Sequence, residues 1–244
     1  MYKLTIAFLL LFITSFVSGQ NRSIPIDTMI VTKHSTTING SKVGYTATAG
    51  MQPVWDKLGK PIATLQYTYY KRNDLGNTTA KRPLLISFNG GPGSASVWMH
   101  VAYTGPQILN IDDEGYPVQP YGVSENPYSV LDVADIVFIN PANTGYSRTI
   151  PESGKEVDRD KFFGINADIK YLAGWLNTFV TRHNRWPSAK YIIGESYGGT
   201  RVAGLALELR VSQWMYLNGV IMVSPADYQV FNSDAAISSA LNLP

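Results

Sequence analysis

One pentapeptide, Gly194-Glu195-Ser196-Tyr197-Gly198, restricts the fold of this 244-residue chain more than any other feature. It follows a short apolar run, Tyr191-Ile192-Ile193, and precedes a segment whose apolar residues Val202, Leu205, Ala206 and Leu209 recur at helical spacing. A serine between two glycines, where a buried strand passes into a helix, is the pattern of a nucleophile elbow. The glycines relieve crowding in a sharp turn, and the turn lifts the hydroxyl above the end of the strand. The helix expected from Thr200 to Val211 aims its positive end at the same spot. Ser196 is therefore the candidate nucleophile.

The surrounding pattern agrees with such a turn. Three further apolar runs, Pro83 to Phe88, Ala134 to Ile139 and Gly219 to Val223, each end in polar or glycine-rich loops and read as buried strands. Between them Ile165, Ile169, Leu172, Leu176 and Phe179 mark an amphipathic helix from Gly164 to His183. Alternating strands and helices imply a mostly parallel sheet covered on its faces, with the chemistry at the carboxyl ends of the strands. Thr28 to Asn73 differs. Its polar-apolar alternation, with turns at Asn39-Gly40 and Gly59-Lys60-Pro61, predicts an antiparallel opening meander.

A nucleophile of this kind needs N–H donors for the negative charge that develops on the substrate oxygen. Asn89-Gly90-Gly91-Pro92-Gly93 follows a neighbouring strand and can supply them. The two glycines allow a substrate to lie against the backbone, and Pro92 stiffens the loop. The N–H groups of Gly91 and Tyr197 are assigned to this oxyanion hole.

Taken in order and spacing, Asn89-Gly90-Gly91-Pro92-Gly93-Ser94, Asn126-Pro127-Tyr128-Ser129, Asn143-Thr144-Gly145-Tyr146-Ser147 and Gly194-Glu195-Ser196-Tyr197-Gly198-Gly199 resemble the serine carboxypeptidases over about Ile62 to Pro225. That resemblance implies an α/β-hydrolase fold and an exopeptidase that removes one residue from a peptide's C-terminus. It also implies that Asn89, Gly90 and Glu195 hold the substrate's terminal carboxylate. Two ionised carboxylates cannot sit side by side in a partly dry site, so Glu195 and the substrate must share a proton, and acidic pH should favour activity. The chain departs from many members at Ser87, where they have Trp, at Ser94, where they have Cys, and at Asn140, where they have Asp.

The catalytic triad of this fold runs serine, acid, histidine along the chain. His34, His100 and His183 all precede Ser196, and residues 197–244 contain no histidine. His183, beside Arg182 and Arg185, reads as a helix C-cap in solvent. His100 reads as a structural or substrate-contacting residue and His34 as exposed. Asp227 is the one tempting acid, although the resemblance puts that residue later, beyond an inserted cap. The expectation is that residues 20–230 form the N-terminal part of the catalytic domain and that 231–244 begin the cap. The remaining strands, acid and histidine would then lie past Pro244, and a polypeptide stopping there would be inactive and poorly folded.

Residues 1–19 combine Lys3, an apolar run from Leu4 to Val17 and small residues before Gln20. The run falls short of the roughly 20 residues needed to span a bilayer, so it reads as a cleaved export signal rather than an anchor. With no cysteine in the chain, neither disulfides nor thiol chemistry enter. A periplasmic or extracellular destination fits. The net charge of +2, with no block of like charge, gives no reason to expect nucleic acid or an anionic membrane as a partner. No metal or other cofactor is expected, since the histidines are scattered. The expected substrates are peptide or protein C-termini. Trp98, Tyr103 and Tyr146 are candidates for apolar walls of the site, or simply for the core. The other readings are an acyltransferase, lyase or esterase on the same fold, and an exported binding protein without catalysis.

Overall fold

A computed structural model describes residues 25–75 and 81–226. The expected export signal, the tail 231–244 and Asp227 lie outside these residues. Strands β1 (Thr28–Ile38), β2 (Ser41–Trp55) and β3 (Pro61–Arg72) form the opening meander. The first turn places Asn39 and Gly40 at φ 47° and 74°, the left-handed pair a tight hairpin requires. After them come β4 (Leu84–Phe88), the short strands β5 (Gln107–Leu109) and β6 (Val123–Glu125), β7 (Asp135–Ile139) and β8 (Arg148–Thr149). Helix α1 (Ile165–Arg182), β9 (Lys190–Glu195), α2 (Tyr197–Ser212) and β10 (Gly219–Val223) complete the described chain.

Among the described residues the main sheet runs β1-β2-β3-β7-β4-β9-β10, with β8 paired to β3. The meander is antiparallel, and β7, β4, β9 and β10 are parallel to one another. β4 therefore lies between β7 and β9, so the loops after β4 and β9 open side by side at the same sheet end. The expected α/β class and meander are both present. β5 and β6 form a separate antiparallel pair that the sequence did not announce, because three-residue strands carry no usable alternation.

Side-chain alternation divides β4 between two layers. Leu84, Ile86 and Phe88 join Leu172, Leu176, Phe179, Val202 and Leu205 in the core beneath the helices. Leu85 faces the other way, with Ile136, Phe138, Ile193 and Met99. Met99 opens a π-helical turn, Met99–Thr104, that covers this second face. Each such side chain contributes about 1.5–3 kcal/mol by leaving water. β10 departs from the buried-strand expectation: Val220, Ile221 and Met222 are 38–46% exposed, since β10 pairs only with β9 among the described residues.

Helix α1 has the expected bounds, with Gly164 and His183 as its caps. Its end corrects the reading of His183. Asn184 adopts φ 54°, and the N–H groups of Arg185 and Asn184 bond back to Val180 and Thr181 at 2.8 and 3.2 Å. Backbone donors thus satisfy the last carbonyls. The imidazole instead packs on Phe179, Tyr69 and Tyr67, with ring centroids 4.4, 5.0 and 5.9 Å away. Helix α2 also differs, starting at Tyr197 rather than Thr200. Gly198 and Gly199 lie inside the helix, where Phe88 O and Pro225 approach closely enough to favour glycine.

Candidate active site

Strand β9 delivers Glu195 and Ser196 to the carboxyl edge of the sheet, and α2 begins at the next residue. Ser196 has φ 58° and ψ −123°, a conformation that costs on the order of 1–3 kcal/mol in a non-glycine residue and is a mark of functional sites. The turn is tight enough to demand glycine before it. A Cβ on Gly194 would lie 2.1 Å from the carbonyl oxygen of Gly198. The Ser196 side chain is only partly buried.

The loop after β4 meets this elbow through Gly90. A Cβ there would stand 2.5 Å from Glu195 O, 2.6 Å from Tyr197 N and 2.8 Å from Ser196 Cβ, so the loop backbone lies directly on the nucleophile turn. Ser196 Cβ thus lies beside the diglycine bend. Gly91 follows with φ 110°, open to glycine alone at little cost, and its bond to Pro92 is cis. The two residues assigned to the oxyanion hole, Gly91 and Tyr197, accordingly belong to backbones in van der Waals contact.

The three residues assigned to the carboxylate come together as well. Asn89 Nδ2 donates to Glu195 Oε2 at 3.1 Å, and the Gly90 N–H donates to the same oxygen at 3.4 Å. Asn89 is 1% exposed, and its Oδ1 accepts from the Met99 N–H at 3.0 Å, which fixes the amide's orientation. Asn140 supports the loop from β7. Its Oδ1 accepts from the Ser96 N–H at 2.9 Å, and Ser96 Oγ accepts from the Asn89 N–H at 3.3 Å. Asn140 also donates through Nδ2 to Gln66. Ser87 is fully buried, and among the described residues its hydroxyl has no partner.

Sequence reasoning missed a buried charged pair under the site. Arg201 donates from Nε to Asp168 Oδ2 at 2.7 Å and from Nη1 to the carbonyl of Asn89 at 2.8 Å. Asp168 also accepts from Tyr171 Oη at 3.0 Å and Tyr197 Oη at 3.3 Å, and Tyr171 Oη accepts from the Ala142 N–H at 3.1 Å. Burial pushes the Tyr171 hydroxyl well above its ordinary range, with Asp168 adding to the effect, so it acts here as a neutral donor. The signal was available. Asp168 and Arg201 both interrupt apolar stripes, at positions where a charge is tolerated only when paired. Beside this network lies a cavity of about 360 Å³, walled by Pro92, Gly93, Pro141, Phe162, Phe163 and Tyr197.

The histidines are engaged elsewhere. His100 Nε2 is 2.6 Å from Tyr70 Oη, and its ring stacks on Phe138 at 4.5 Å. Burial pushes its pKa down to about 4. His183 is likewise pushed down to about 4, first by burial and then by Arg185. His34 is exposed, 2.7 Å from Thr32 Oγ1. Trp98, Tyr103 and Tyr146 are 54, 56 and 76% exposed, which removes the core reading for all three. Tyr146 shares a smaller cavity with His100, whereas Trp98 lines a groove against the β5–β6 pair.

Comparison with known proteins adds a lineage to this geometry. The family model described as serine carboxypeptidase matches residues 59–241. Serine carboxypeptidase-like 36 of Arabidopsis thaliana is 30% identical over 175 residues, covering 69% of this chain and 33% of the relative. A carboxypeptidase Y homolog of Arthroderma benhamiae is 28% identical over 154 residues, 62% of this chain and 28% of the relative. The chain therefore spans about a third of the length of the curated relatives it matches. Among solved structures, Kex1(delta)p, a prohormone-processing carboxypeptidase from Saccharomyces cerevisiae, superposes with a TM-score of 0.56 at 22% identity. It covers 76% of this chain and 40% of that one. The likeness extends to the α/β-hydrolase fold.

Proposed function

The chain belongs to the serine carboxypeptidase family, and from that premise we propose that it supplies the nucleophile and the carboxylate-reading half of an enzyme that hydrolyses the last peptide bond of a polypeptide. The observation that carries the proposal is the convergence of Asn89 Nδ2 and the Gly90 N–H on one carboxylate oxygen of Glu195, the residue next to Ser196. Two donors and a carboxyl group that can share a proton make a receptor for a second carboxylate. Internal peptide bonds present no such group there.

In this mechanism the substrate's terminal carboxylate binds to Asn89, Gly90 and protonated Glu195, which sets the scissile carbonyl over Ser196. Ser196 Oγ attacks the carbonyl carbon as a base accepts its proton. The tetrahedral oxyanion takes hydrogen bonds from the Gly91 and Tyr197 N–H groups, at the positive end of α2. Collapse breaks the C–N bond and releases the terminal amino acid with the proton returned to its nitrogen. An ester on Ser196 remains, and water hydrolyses it to free enzyme and shortened peptide. The base is none of the three histidines in the chain, whose rings are committed to Thr32, Tyr70 and the Tyr67–Phe179 aromatic group.

Export is part of the same reading, supported by the signal-like residues 1–19. Among the described residues no helix is long and apolar enough to cross a membrane. The test is mass spectrometry of a defined peptide incubated with the full-length gene product. Residues should disappear one at a time from the C-terminus, and Ser196→Ala should abolish the ladder. Internal cleavage, or an unchanged ladder with Ser196→Ala, would refute the assignment.

A further inference from the structure

Arg201 is 2% exposed, and its guanidinium is divided between two jobs. One edge is neutralised by Asp168 at 2.7 Å, and Nη1 reaches the main-chain carbonyl of Asn89 at 2.8 Å. The carbon of the guanidinium also lies over the Tyr197 and Phe88 rings, 5.0 and 5.5 Å from their centroids. Cation–π attraction to those rings and ion pairing on the edge leave the group little freedom to move.

The bond to the Asn89 carbonyl has a consequence on the far side of the same peptide unit. The Asn89–Gly90 bond is trans, so its C=O and N–H point in opposite directions from one rigid plane. Holding the oxygen on the Arg201 side turns the Gly90 N–H toward Glu195 Oε2, 3.4 Å away. A rotation of this plane would carry the N–H out of the carboxylate site. No side chain on Gly90 resists such a rotation, and glycine offers little torsional resistance of its own. The charge on Nη1 also polarises the amide and strengthens its N–H as a donor.

We propose that Arg201 is a positioning residue for recognition of the substrate's terminal carboxylate, acting through the Asn89–Gly90 peptide plane, with Asp168 holding the guanidinium in place. This inference rests on the carboxypeptidase reading above. It goes beyond that reading by assigning part of the selectivity for a free C-terminus to a residue that never touches the substrate. Lysine cannot replace arginine in the role. A single ammonium can pair with Asp168 but does not present the planar fork that reaches Asp168 and the Asn89 carbonyl together.

The experiment compares kcat/KM on a blocked dipeptide bearing a free terminal carboxylate with kcat/KM on the matching dipeptide amide, for the full-length gene product and for its Arg201→Lys and Arg201→Met variants. The readout is the ratio of acid to amide. A merely structural role for Arg201 would lower both rates together and leave that ratio unmoved. The expected result is a ratio reduced about ten- to hundredfold in both variants, the worth of one charge-assisted hydrogen bond, with the loss falling mainly on KM for the acid. Thermal melting confirms folding of each variant. An unchanged ratio in a folded variant overturns the proposal. So does failure of both variants to fold, which would make Arg201 a determinant of the domain rather than of one peptide plane. If the unmodified protein itself shows no preference for the free acid, the carboxypeptidase reading fails instead, and the two failures are told apart.

Discussion

The side-chain amide of Asn89 donates to Glu195 Oε2 at 3.1 Å across 106 residues of sequence. Parallel pairing of β4 with β9 makes the meeting possible, because it sets Phe88 beside Gly194 and so brings the two following loops together. Several expectations follow from that contact and from the groups that hold it.

Glu195→Gln replaces a shared proton with a permanent N–H donor. KM for free-carboxylate peptides should depend on pH less in the variant than in the unmodified protein between acidic and neutral pH, because an amide has no proton to share or lose. Steady-state kinetics across that range provide the check, and equal profiles for the two proteins would count against a role for Glu195 in binding the terminus.

Gly90→Ala would drive a methyl group into Glu195 O, Tyr197 N and Ser196 Cβ, all within 2.8 Å, two of them backbone atoms that cannot turn aside. The diglycine loop must then move off the elbow. Misplacement of about an ångström at a catalytic site costs about a hundredfold, so kcat/KM should fall by at least that much in a protein that still melts cooperatively. Near-normal activity would show that the loop does not need this contact.

His100 gives the fold a dependence on pH. Its pKa is about 4 when folded against 6.5 for an unburied imidazole, so the unfolded chain binds the extra proton first. The stability associated with neutral His100 is fully present above pH 6.5 and is lost as the pH falls toward 4. The loss is at most on the order of 3 kcal/mol. Protonation would also make His100 Nε2 the donor in its 2.6 Å contact with Tyr70 Oη. His100→Gln should therefore flatten the decline in melting temperature between pH 6.5 and 4, leaving the share due to His183. An identical decline in the variant would exclude His100 as a source.

Much of this architecture was legible because its physical causes are local. Strand runs ending in glycine loops, the 3.6-residue period of α1 and the Asn39-Gly40 turn each declare themselves within a few residues. Asn89, Gly90 and Glu195 were paired through a motif resemblance, and the geometry brings them together. What stayed hidden depends on distant neighbours. Nothing near His183 announces the Tyr67 and Tyr69 rings that take its imidazole out of water, since they come from β3. Arg201 and Asp168 were passed over as charges within apolar helices, and their meeting requires α1 to pack on α2. The start of α2 was missed because Gly198 and Gly199 read as loop residues, whereas here they lie in the first turn of the helix, at positions where Phe88 and Pro225 leave little room for a side chain.

The central claim is that Ser196 attacks a carbonyl presented by a bound terminal carboxylate. Its most direct measurement uses a dipeptide phosphonate with a free carboxylate and the same phosphonate with that group amidated, each reacted with the full-length gene product and located by peptide mass mapping. The expected result is a stoichiometric adduct on Ser196 that forms about tenfold or more faster with the free carboxylate. An adduct on another residue, or equal labelling of Ser196 by both reagents, would contradict it.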